Sequence, residues 1–81
     1  MRFNGRILEV TSGNYKDNDW AKLIIKSDDV ANGKMLTYKC HVKSFDTLND
    51  IIEKEGQECV IQLGIFSDGD KNAIVKVIGL D

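Results

Sequence analysis

A small barrel of five β-strands carrying one short helix is the fold this sequence predicts. Three observations lead to it. The chain is 81 residues long and holds no proline, so nothing marks a linker between domains. Alternating apolar and polar residues, the period of half-buried strands, recur along most of its length. One stretch near the middle changes to helical spacing, which gives the order β-β-β-α-β-β.

The elements follow in turn. Arg2 to Thr11 is a first strand, with Phe3, Gly5 and Ile7 on one face and Arg2, Asn4 and Arg6 on the other. The alternation slips after Ile7, where Leu8 and Val10 are also apolar, and a bulge or a change of sheet would explain the slip. SGNYKDND, Ser12 to Asp19, reads as a polar loop. Trp20 to Ser27 is a second strand, DDVANG a turn, and Lys34 to Lys43 a third strand. Phe45, Leu48, Ile51 and Ile52 then form a helical stripe, predicting a helix from Phe45 to Glu55. Ser44 or Asp46 can cap it, Thr47 and Asp50 have the spacing of a capping box, and Gly56 suits its C-terminal stop. ECVIQLGIF is a fourth strand, SDGDKN a tight loop and AIVKVIGL a fifth strand.

Three consecutive strands form a meander, and the helix carries the chain across to a final hairpin. A chain of this length buries only about 60% of its unfolded surface, so closing the sheet into a barrel plugged by the helix is economical. Closure also removes exposed sheet edges. Gly5, Gly64 and Gly79 supply the bends. The expectation is an all-β, OB-like barrel spanning residues 1–81, against the alternative of an open five-stranded sheet with the helix on one face.

Composition narrows the function. No apolar run approaches the roughly 18 residues of a membrane span, so no membrane partner is expected. MRFNGRIL lacks the apolar core of a signal peptide, which predicts a cytoplasmic protein. Cys40 and Cys59 are distant and the only histidine is His41, too few ligands for a Cys/His zinc site, so the cysteines are expected to be buried free thiols. SDGD lacks the further ligand spacing of a calcium loop. No nucleophile stands beside His41 and no loop cradles phosphate, so neither catalysis nor a cofactor is expected.

The net charge of −2 conceals an asymmetry. Residues 1–45 are net +3 and residues 46–81 net −5. If the apolar sets share the core, Arg2, Arg6, Lys22, Lys26, Lys39 and Lys43 lie together on the outer surface, with Trp20, Ile24, Met35 and His41 among them. No carboxylate falls on these outer positions, and Tyr15 and Lys16 sit in the neighbouring loop. Cations neutralise phosphates, and aromatic faces stack bases of any identity. Tyr38, Phe3, Phe45 and Phe66 are expected in the core.

The opening RFNGRILEV, the strand order and this basic, aromatic meander resemble the small OB-fold single-stranded DNA-binding proteins of phages and mobile elements. The resemblance implies a role such as DNA replication and a single-stranded ligand, DNA rather than RNA. The contrasting reading is an OB-like protein-interaction module docking through Ile24 and Met35 or through its acidic half. A homodimer is compatible with either.

Overall fold

The computed structural model describes residues 1–27, 34–67, 69 and 72–81. Five strands, β1 (Arg2–Tyr15), β2 (Asn18–Ser27), β3 (Met35–Cys40), β4 (Glu58–Ser67) and β5 (Ala73–Leu80), close into a barrel in the order β1-β2-β3-β5-β4. Neighbours are antiparallel except β3 and β5, which meet in parallel at Lys39–Lys76 and Cys40–Val77. Parallel neighbours need a long crossover, and the helix together with β4 supplies it. The barrel is therefore OB-like, and the open-sheet alternative is discarded.

Alternation builds the core. Ala21, Leu23 and Ile25 point inward from β2, and Cys59, Ile61 and Leu63 from β4, meeting Ile7, Cys40, Val77 and Leu80. Phe3 and Tyr38 pack at the margin of this cluster with ring centroids 6.1 Å apart. Both cysteines are buried free thiols. β1 serves two neighbours: Gly5 pairs with Ser27 of β2 and with Cys59 of β4. A Cβ on Gly5 would stand 2.9 Å from Ile25 Cγ2 and 3.0 Å from Ile61 Cδ1, so the strand can lie this close only without a side chain.

The slip after Ile7 is a β-bulge. Ile7 pairs with Ile25 and Glu9 with Ile24, which leaves Leu8 as the extra residue. Two bonds to the turn after the helix hold the strand there: the Ile7 N–H donates to Gln57 O (2.9 Å) and the Gly56 N–H to Ile7 O (2.7 Å).

Three boundaries differ from the sequence reading. The expected polar loop is instead paired: β1 continues to Tyr15, and only Lys16 and Asp17 form the turn, at φ 50° and 65°. Positive φ at both turn residues matches the right-handed twist of the flanking strands, as in a type I′ hairpin. β3 stops at Cys40, and Val42–Ser44 is a 3₁₀ turn. The helix is α1 (Asn49–Ile52), much shorter than Phe45 to Glu55, with Phe45 itself extended at its entry. Four residues suffice because Ile51, fully buried, is the plug, and Val42, Phe45 and Leu48, all outside α1, pack against the same core.

The capping box forms: the Thr47 N–H donates to Asp50 Oδ2 (2.9 Å) and the Asp50 N–H to Thr47 Oγ1 (3.2 Å). Ser44 does not cap; its hydroxyl bonds His41 Nδ1 at 2.8 Å. Gly56, at φ 82°, ends the segment in the left-handed conformation that glycine tolerates. The DDVANG turn and half of the SDGDKN loop lie outside the described residues. Among the described residues no helix is long and apolar enough to cross a membrane.

Candidate nucleic-acid interface

The outward side of β2 is Trp20, Lys22, Ile24 and Lys26, as its alternation requires. Directly opposed residues on adjacent strands share a face, so the register arranges the outer residues in rows. One row runs Arg6, Lys26, Met35 and another Glu9, Ile24, Thr37. The next runs Thr11, Lys22, Lys39, Lys76, and beyond it Trp20 stands opposite Gly13.

The third row is the unusual one. Three lysines on three adjacent strands face the same way, with strand spacing of about 4.8 Å. Like charges directly opposite one another cost stability. The ion pair formed among the described residues is Arg6 with Glu58 at 3.0 Å, and Lys22, Lys39, Lys43 and Lys76 have none.

Trp20 is held in place by an absence. The edge of its indole lies across Gly13, where a Cβ would meet Cζ2 at 2.8 Å and Nε1 at 2.9 Å. Trp20 stays 43% exposed, enough to offer surface to a ligand while its seat fixes its position. His41 stacks on Phe66 with ring centroids 4.5 Å apart and an interplanar angle of 22°. The Lys76 ammonium lies 5.6 Å from the centroid of the same Phe66 ring.

A cleft of about 870 Å³ joins these features, and Trp20, Lys22, Lys39, His41, Lys43 and Lys76 line it. Asp17, Asn18 and Asp19 line its hairpin end. Cys40 reaches its floor, but burial pushes the thiol up to about 12, so it remains neutral and is no nucleophile.

The cleft gathers half of the predicted site. Trp20, Lys22, Lys39, His41 and Lys43 converge in it; Lys26 lies four residues along β2 from Lys22 of the lysine row, outside the cleft. Arg6 donates to Glu58 and, at 3.4 Å, to Gly56 O, so its charge is already engaged. Arg2 pairs with Gln62 on β4, on the other side of β1 from β2. Tyr15 and Lys16 occupy the hairpin tip, with the ammonium 5.4 Å from the ring centroid, and line no part of the cleft.

The outer face is also less free of acid than expected, because the bulge turns Glu9 outward beside Ile24. Two residues were missed. Phe66, expected in the core, lies outside, as the inward parity of Cys59, Ile61 and Leu63 requires. Lys76 reads in the sequence as a polar break in an apolar strand. Placing β5 beside β3, as the OB-like order does, would have set it next to Lys39.

Compared with protein-family models, with curated proteins and with solved structures, the chain matches none.

Proposed function

We propose that the protein binds single-stranded DNA with little overall sequence preference. Lys22, Lys39, Lys76 and Lys43 hold the phosphates, while Trp20 and the His41–Phe66 pair offer ring faces to bases. The observation that carries this reading is the row of directly opposed lysines, without acidic partners among the described residues, facing a cleft lined by an exposed indole. A folded protein keeps such repulsion more readily when a polyanion relieves it, and phosphate binding then gains from released counterions. Each stacked base adds about 1–3 kcal/mol. The β2–β3 face is also where OB-like barrels take oligonucleotides.

The test is the fluorescence of Trp20, the only tryptophan, during titration with a thymidine oligonucleotide. Saturable quenching is expected, weakening with salt. The slope of log affinity against log salt is about −3 if the four cleft lysines all contact phosphate. An unchanged signal at low salt, with no change in the anisotropy of a labelled oligonucleotide, would sink the proposal.

Exposed apolar side chains favour a second reading, a module that docks a protein partner or a second copy. Met35 is 65% and Ile65 72% exposed. The two readings rank mutants oppositely. For DNA binding, Lys22→Glu with Lys39→Glu abolishes function and Ile24→Asp is mild; for a partner surface centred on Ile24 and Met35, Ile24→Asp is the severe change.

A further inference from the structure

The cleft is electrically polarised, and its polarity matches more than a phosphate chain. Lysines line one part, Trp20 another, and carboxylates the hairpin end. Asp19 Oδ1 already accepts from Asn14 Nδ2 at 3.0 Å. The Asp17 carboxylate, at the turn, has no hydrogen-bond or ion-pair partner among the described residues. It stands three positions before Trp20 and lines the same cleft, so a purine stacked on the indole would have its edge toward the hairpin turn.

The chemistry of this end discriminates among bases. An ionised carboxylate only accepts hydrogen bonds. In a single strand the Watson–Crick edge is free to be read. Guanine presents two adjacent donors there, N1–H and the 2-amino group, which fit the two oxygens of one carboxylate. Adenine and cytosine offer one amino group beside an unprotonated ring nitrogen that a carboxylate repels. Thymine offers a single N3–H between two carbonyl oxygens. The lysines opposite would meanwhile take the phosphates flanking the stacked nucleotide.

We infer that the Trp20 end of the cleft is a guanine subsite, with Asp17 reading the base edge. This rests on the single-stranded DNA reading and adds to it one position of base preference within an otherwise tolerant track.

The experiment compares a thymidine oligonucleotide with versions in which one central thymine is replaced by guanine or by hypoxanthine, which lacks the 2-amino group. The guanine oligonucleotide is expected to bind about tenfold tighter than the all-thymine one, in keeping with a single bidentate contact. Hypoxanthine should lose most of that gain. In Asp17→Asn, which a positive φ tolerates, the all-thymine affinity should hold or rise slightly as the cleft loses negative charge, the guanine affinity should fall, and their ratio should drop to near one. Glu53→Gln, just past the end of α1 and away from the cleft, should keep the ratio. Equal binding of the guanine and thymine oligonucleotides would overturn the subsite while leaving the DNA reading intact. A guanine preference that survives Asp17→Asn would overturn the role of Asp17. Binding of neither oligonucleotide would remove the DNA reading, and the subsite with it.

Discussion

At the scale of single residues, Gly13 does as much for the cleft as any charged side chain, because it leaves the space in which the Trp20 indole rests. Gly13→Val should evict the ring. Its emission should shift to the red as it enters water, and affinity for a thymidine oligonucleotide should fall by about an order of magnitude, the loss of one stacked base. A variant that keeps the wild-type emission maximum and affinity would show that Trp20 needs no such seat. Gly13 drew no attention in the sequence because it falls within SGNYKDND, a stretch whose composition suggests a loop. Glycine, asparagine and aspartate suit turns, yet here cross-strand pairing from Ser12–Ala21 to Tyr15–Asn18 outweighs that preference. Trp20, Lys22 and Lys39 were legible for the opposite reason: alternation within a strand fixes the face of each residue once its neighbours commit to the core.

At the scale of elements, the crossover shows how little helix a barrel plug needs. The stripe Phe45, Leu48, Ile51 and Ile52 correctly identifies apolar residues that turn inward, except Ile52, which is exposed. It overstates the helical backbone, since a 3₁₀ turn and an extended residue can present the same side chains to the barrel mouth. Ile51→Ala should therefore cost about 2–5 kcal/mol in urea unfolding, the range for emptying a buried site of this size. Ile52→Ala, on the same helix but exposed, should cost far less. Equal losses would mean that helical propensity rather than burial holds the segment. The bulge at Leu8 was legible as a break in alternation, but its consequence, Glu9 turned to the outer face, depends on the register with β2, which a break in pattern does not specify.

At the scale of the whole molecule, closure decides which distant residues meet. The parallel contact between β3 and β5 brings Lys76 to Lys39 across 37 positions of sequence, and no local pattern announces such a meeting. The same closure distributes charge: the lysine row lies on the β2–β3–β5 wall, while Glu53, Glu55 and Glu58 lie in and around the helix and β4. A polyanion approaching in solution meets this local field, which matters more to association than the net charge of −2.

The opposed lysines also give the empty barrel an unusual response to its solvent. Mutual repulsion across Lys22, Lys39 and Lys76 is screened as ionic strength rises, with a screening length of about 10 Å at 0.1 M. The unliganded protein should accordingly melt at a higher temperature in more salt. With an oligonucleotide bound the trend should reverse, because ligand stabilisation follows affinity and affinity falls with salt. The two melting curves should converge, and where they meet marks the salt at which the complex no longer outcompetes counterions. Lys39→Gln, removing the middle charge, should flatten the rise of the unliganded curve. An unliganded melting temperature indifferent to salt would mean that the row stores no appreciable repulsion. The barrel would then carry its cations without strain, and occupying the cleft would bring no relief to the fold.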